Sequence, residues 1–384
     1  MTTGPNTETA EPVPQLTEEL LPVEAVQASS YTIPTDAPEA DGTFAWHATT
    51  LVLVQVRAGG CVGTGWTYGS AACADLINDL LGPLLLGRGP LDVTRAWLAM
   101  VTALRNIGRP GIGGMALSAV DCALWDLKAR LLELPLHKLL GQVHDSVPVY
   151  GSGGFTTYDD RQLAAQLSGW VGDQKIPRVK IKIGESWGAR VDRDLDRVRQ
   201  ARTLIGDGVE LYADANGGYT VGAATRVGAA LDAQGVTWFE EPVSSDDLAG
   251  LREVRSRVRT DVAAGEYGYD LSYFERMCAA GAVDCLQVDV TRCGGITELL
   301  RVAAVAAAHG LQVSGHCAPH LHAGPLTAVP NLRHLEWFHD HVRIETLLFE
   351  GTLDPAGGTV TPRDDLAGNG MTWRPDVASE YRIS

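Results

Sequence analysis

From about residue 147 the sequence repeats one unit: a short apolar strand, a polar residue near its C-terminal end, and a helical stretch. The strands read VPVYGSG, VKIKIG, ELYADANG, TWFEEP, DVAAGE, CLQVDV, QVSGHC and HLEWF. The polar residues are Lys182, Asp214, Glu240, Glu266, Asp289, His316 and Glu336, separated by 32, 26, 26, 23, 27 and 20 residues by subtraction. Each interval is close to one βα unit. An α/β fold of the (β/α)8 TIM-barrel type repeats in this way and builds its site from those strand ends. A doubly wound open sheet is the competing architecture, but it would gather its polar groups near one switch point.

The region before the barrel begins with strands and continues with helices. TTLVLVQVRAGGCVGTGWTYG reads as two β-rich runs broken by Ala58, Gly59 and Gly60, and ALSAVDCALWDLKARLLELPLHKLL carries apolar residues at helical spacing. The division is a tail over 1–20, an α+β domain over 21–145, the barrel over 146–350, and a segment over 351–384 that returns to the first domain. The tail is rich in Thr, Pro and Glu, which favours disorder. Gly60, Gly63 and Gly65 in GCVGTGW imitate a phosphate loop, but no helix of a βαβ unit follows, so turn formation is the better account.

A formal net charge of -16 argues against nucleic acid and anionic membrane surfaces as partners. Seven cysteines without a CxxC or a regular framework point to reduced thiols and a cytoplasmic location.

Asp214, Glu240 and Glu266 end consecutive strands, so a barrel sets them side by side. Three ionised carboxylates repel unless a cation sits among them, and hard oxygen donors without sulfur favour Mg²⁺. Strand alternation points Glu241 away from Glu240, while Asn216 shares the face of Asp214. Lys180 and Lys182 share one face of their strand and enter the barrel interior. Each ammonium weakens the other's preference for its charge, so Lys182 is expected to work as a base near neutral pH, with Lys180 supporting it and meeting a substrate carboxylate. On the opposite wall Asp289 orients His316 as a general acid or base. Glu336 either serves a developing enolate or packs against Trp337. HCAPHLH could suggest zinc through His316, His320 and His322, but no further His or Cys has a matching place and the carboxylates already account for a metal. His320 is a candidate pocket residue. In SSYTIPTDAPEADGTFAWH, Tyr31, Trp46 and His47 are candidates for facing the substrate from a loop.

VKIKIG, ADANGGY, WFEEP, AAGE, LQVDVTRCGGIT, SGH and HLEWF, in this order and spacing, resemble the mandelate racemase subgroup of the enolase superfamily. The resemblance implies Asp214, Glu240 and Glu266 as Mg²⁺ ligands, Lys182 as one acid/base, and the His316–Asp289 dyad as the other. It implies Lys180 near the substrate carboxylate, a protonated Glu336 as electrophile, and the domain over 21–145 as a capping domain whose loops close over the substrate in the catalytic barrel. The implied chemistry is removal of a proton α to the carboxylate of a small molecule, in a homo-oligomer. Dehydration of an acid sugar to a 2-keto-3-deoxy acid is the expected outcome; the same residues permit a racemase or epimerase.

Overall fold

A computed structural model describes residues 22–383; the tail expected over 1–20 lies outside them. Eight parallel strands close into a barrel: β4 (Val147–Gly153), β5 (Arg178–Lys182), β6 (Glu210–Asp214), β7 (Val236–Glu240), β8 (Asp261–Ala264), β9 (Cys285–Val288), β10 (Gln312–Gly315) and β11 (Leu332–Phe338). They pair in chain order, and β11 pairs with β4 to close the ring. Strands this short and apolar are buried on both faces, as parallel strands covered by helices must be. The barrel is a packed core: Tyr150, Tyr212, Trp238, Ala263 and Cys285 fill its interior, all fully buried.

The cap is an antiparallel sheet of β1 (Ala25–Ala40), β2 (Ala45–Ala58) and β3 (Cys61–Tyr68), backed by a helix over Ile112–Leu131. The hairpin between β2 and β3 turns at Gly59 and Gly60, both with positive φ. Gly63 and Gly65 do not turn. They lie in β3 under the helix, where an added Cβ would stand 2.2 Å from the Ala123 carbonyl and 2.3 Å from that of Ala119. The glycines let sheet and helix backbones approach, which corrects the reading of this run as turn-forming.

The segment read as a loop is also a correction: β1 pairs with β2 from Ala25↔Arg57 to Ala40↔Ala45, with a register break between Pro34 and Glu39. Prolines cannot donate to a ladder, but β1 is an edge strand, where that loss is tolerated. After β12 (Phe349–Glu350), the chain adds β13 (Thr359–Val360) to β4 of the barrel, and β14 (Thr372–Trp373) pairs back to β12. It then reaches the cap, where Ile383 N–H donates to Ser30. All seven cysteines are free thiols. Among the described residues no helix is long and apolar enough to cross a membrane.

Cap and barrel meet around one buried carboxyl. Glu345 accepts from Trp66 Nε1 at 3.0 Å and Tyr68 Oη at 3.1 Å on β3, and its other oxygen lies 2.7 Å from His320 Nδ1 on the barrel. Replacing Glu345 by leucine strands these buried donors, each at a cost of roughly 1–3 kcal/mol. Urea unfolding is therefore expected to show a loss of at least about 3 kcal/mol for Glu345→Leu, partly recovered in Glu345→Gln, whose amide oxygen still accepts. A loss under about 1 kcal/mol would show that the interface is held elsewhere.

Candidate active site

The parallel register sets the polar groups in one layer. Lys182 pairs with Asp214, and Asp214 with Glu240, at the C-terminal ends of β5, β6 and β7. Glu266 follows two residues beyond the end of β8, while Asp289 and His316 directly follow β9 and β10. Glu336 lies inside β11 rather than at its end. Donor oxygens of Asp214, Glu240 and Glu266 all come within 4.8 Å of one another, and the three residues are buried. Lys182 Nζ contacts Asp214 Oδ2 at 2.5 Å at one end of this row, and His316 Nε2 lies 3.1 Å from Glu266 Oε2 at the other.

One layer deeper, Lys180 is fully buried and bridges carboxylates from several strands. Its ammonium bonds Glu240, lies 2.7 Å from Glu336 Oε1 and 3.3 Å from Asp214 Oδ2, and sits over the Tyr150 ring. Ser152 Oγ donates to Glu336 Oε1 at 2.6 Å, and Cys317 N–H donates to Oε2 at 3.1 Å. Opposite, His316 Nδ1 is 2.7 Å from Asp289 Oδ2, while Asp289 Oδ1 accepts from Thr291 N–H and Oγ1, both at 2.7 Å. This fixes the imidazole so that Nε2 faces the carboxylates. Arg292 lies 3.5 Å from both Glu266 and Asp289.

These distances reset the resting charge expected of two groups. Burial lowers Lys182 and Lys180 repels it, but Asp214 together with Glu336 and Glu240 outweighs the two, so its ammonium is held well above the ordinary lysine range. Lysine–lysine repulsion is real but loses to carboxylates in hydrogen-bond contact. Glu336 was expected to be protonated; burial does push it up, yet Lys180 and then His316 hold it well below the usual carboxylate range. Burial and the neighbouring Asp214 push Glu240 up to about 8. Glu266 is held low against burial by His316 and Arg292.

The site fits a hard divalent cation. Besides the clustered triad, the acceptor oxygens Glu266 Oε2, Glu241 Oε1 and Asn216 Oδ1 are buried without a hydrogen-bond partner, Glu266 Oε2 being close to His316 but poorly aligned. Buried acceptors that no donor satisfies favour a cation among them. Glu241 was expected to point away from Glu240, as a supporting or structural partner. Instead alternation stops where β7 ends: Glu241 has φ 38°, is buried, and is pushed well above the carboxylate range by burial and by Glu266 and Asp214. Asn216, also at positive φ, places its N–H on Asp214 Oδ1 at 2.9 Å.

The remaining candidates divide. Trp46 donates its indole N–H to Glu39 at 2.7 Å and packs edge-on to Phe155, in a cluster that includes Cys317 and Phe338. It borders the site. Tyr31 does not, because its ring packs at 4.9 Å from that of Trp373, where the cap meets the C-terminal segment. His47 is exposed on β2, and His320 is turned to Glu345. His322 Nε2 accepts the Val290 N–H at 2.8 Å, so HCAPHLH does not assemble three imidazoles around one point.

Sequence reasoning missed Asp41, Arg292 and Cys317. Asp41 lies at the tip of the β1–β2 hairpin, where its Oδ1 accepts from Thr43 N–H at 2.6 Å and Phe44 N–H at 2.7 Å, and it faces the charge of Lys182. The adjacent Gly42 docks that tip onto the barrel: its carbonyl accepts the Trp187 N–H at 2.9 Å, and an added Cβ would lie 2.6–2.9 Å from the carbonyls of Ile183, Gly184 and Ala215. The run ADGTF carries the turn signal, but its destination depends on the whole length of β1.

Comparison with known proteins agrees with this architecture. Residues 31–141 match the mandelate racemase/muconate lactonizing enzyme N-terminal domain, and residues 162–377 the enolase C-terminal domain-like family. The chain belongs to the mandelate racemase/muconate lactonizing enzyme family of the enolase superfamily. Over 82% of its length it is 32% identical to a 3,6-anhydro-alpha-L-galactonate cycloisomerase of Streptomyces coelicolor, covering 88% of that protein. It is also 32% identical to the L-talarate/galactarate dehydratase of Salmonella typhimurium, over 75% of this chain and 74% of that one. Among solved structures, a mandelate racemase/muconate lactonizing enzyme-like protein of Rubrobacter xylanophilus superposes with a TM-score of 0.91 at 48% identity, covering 94% of this chain and 100% of that one. A racemase from Streptomyces coelicolor with bound magnesium gives 0.88 at 30% identity, with the same coverage. The chain is thus an enzyme of the lyase or isomerase kind found in this family.

Gly42→Ala is expected to lift the hairpin tip from the strand ends while leaving the barrel folded. Steady-state kinetics should show kcat/KM reduced by about tenfold or more, as for other misplacements of a cover over a site, with unchanged circular dichroism. Full activity in this variant would show that the tip's fit over Ile183 and Ala215 is irrelevant to turnover.

Proposed function

We propose that this enzyme removes the proton α to the carboxylate of an acid sugar and dehydrates the product to a 2-keto-3-deoxy acid, with Mg²⁺ held by Asp214, Glu240 and Glu266. The observation that carries this reading is the order of groups around the barrel: a carboxylate cage flanked by Lys182 at one end and by His316, with Asp289 behind it, at the other. When bound, Mg²⁺ supplies positive charge to the substrate carboxylate and withdraws carboxylate charge from the lysines.

The chain's own residues then divide the work. Lys180, fixed between carboxylates, offers its ammonium to the substrate carboxylate as negative charge develops there. Lys182 takes the α proton in its neutral form. The electron pair moves into the carboxylate as an enediolate and then expels the β-hydroxyl, which leaves as water with a proton from His316 Nε2. Tautomerisation of the resulting enol gives the 2-keto-3-deoxy acid. Glu336, ionised beside Lys180, holds that lysine in place. The cap hairpin tip, with Trp46 behind it, closes the site from above and is the part best placed to select the substrate.

A second reading is racemisation or epimerisation of a 2-hydroxy acid, favoured by the same opposed walls: one side removes the α proton and the other returns it. The two readings part on product. Sugar mono- and diacids incubated with Mg²⁺ are expected to give 2-keto-3-deoxy acids, and EDTA to abolish this. Lys182→Ala and His316→Asn should each lower turnover by about 10²–10⁴-fold. Inversion without 2-keto product would replace dehydration by the second reading. Undiminished turnover in both variants would remove both.

A further inference from the structure

His316 Nε2, Cys317 Sγ and Glu336 Oε2 form a compact triangle beside the carboxylate cage. Nitrogen to sulfur is 3.3 Å, sulfur to carboxylate oxygen 3.4 Å, and nitrogen to oxygen 3.6 Å. All three residues are buried. A tetrahedral zinc ion with bonds of about 2.0–2.1 Å to nitrogen and oxygen and about 2.3 Å to sulfur separates its ligand atoms by about 3.4–3.6 Å. The measured edges match that face within a few tenths of an ångström.

The surroundings also suit a metal ligand set. His316 Nδ1 is bound to Asp289, the carboxylate–histidine arrangement that orients an imidazole toward a metal. Cys317 reaches the triangle because its backbone takes φ 53°, turning the thiol back between His316 and Glu336, and its own N–H holds Glu336 Oε2. The donor sets differ in hardness: the cage offers carboxylate oxygens alone, and the triangle offers nitrogen, sulfur and oxygen. The first suits Mg²⁺, and the second suits Zn²⁺ or Co²⁺.

We propose that His316, Cys317 and Glu336 form a second metal site, selective for borderline-soft divalent ions such as Zn²⁺, whose occupation stops turnover by claiming His316 Nε2. On binding, sulfur–metal, nitrogen–metal and oxygen–metal bonds form. The thiol proton leaves to solvent, as does any proton on Nε2, so affinity rises with pH. The site itself stands on geometry alone; the loss of turnover rests on the role given above to His316.

Co²⁺ added to the Mg²⁺-loaded protein should produce a thiolate-to-cobalt absorption band in the near ultraviolet, saturating at one equivalent and missing in Cys317→Ser. This readout does not depend on knowing the substrate. In the assay of turnover, Zn²⁺ in the presence of excess Mg²⁺ should inhibit the wild type, and the half-inhibitory concentration should rise by at least about tenfold in Cys317→Ser, since a direct ligand matters at least as much as an outer partner. Crystals of the unaltered enzyme soaked with Zn²⁺ and Mg²⁺ give a check free of any folding defect: an anomalous zinc peak within the triangle supports the site. A zinc peak confined to the carboxylate cage, or a cobalt band unchanged in Cys317→Ser, overturns it. A band and peak at the triangle with no zinc inhibition would keep the metal site and remove the role assigned to His316.

Discussion

Like charges gathered at one end of a barrel set the terms for the rest of this molecule. Asp214, Glu240 and Glu266 are buried with donor atoms within 4.8 Å of one another, and Glu241, Asp289 and Glu336 stand close by. Such a cluster survives folding only if cations are supplied at short range. Lys180 and Lys182 supply them from the neighbouring strand, with Arg292 and His316 on the far side. The pKa directions at the site reflect this balance: Asp214, Glu266 and Glu336 are held ionised by the lysines and the imidazole, while burial and neighbouring carboxylates push Glu241, and Glu240 despite its bond to Lys180, toward neutrality.

The balance also explains why the residues beneath the site are so large. Lys180 can stay buried because Tyr150 lies under its ammonium and carboxylates surround it. Tyr212, Trp238 and His334 pack around Tyr150 and close the interior to water. A dry floor strengthens each charge pair above it, so the aromatic core and the polar layer depend on each other.

The barrel and its strand-end residues were legible because both rest on periodicity. Strand ends recur at βα spacing, and parallel register turns that recurrence into adjacency, as Lys182↔Asp214↔Glu240 shows. Protonation was not legible, because it depends on which of several near neighbours is nearer, a matter of tenths of an ångström across strands. The long cap strand β1 was hidden by Pro34 and Pro38, which are tolerated because β1 is the edge strand of the cap sheet. Glu241 and Cys317 defeated the alternation rule for one shared reason: each directly follows a strand-end group and adopts positive φ, where alternation no longer holds.

The hairpin tip has a consequence for how such a protein can diversify. Its Asp41–Phe44 turn is stabilised by its own backbone and rests on the barrel through Gly42, while Phe44 points outward. No ladder hydrogen bond of the barrel runs through it. Replacements at Thr43 or Phe44 thus leave the strand pairing of the polar layer undisturbed, so this rim can change in sequence while the layer beneath it is inherited intact.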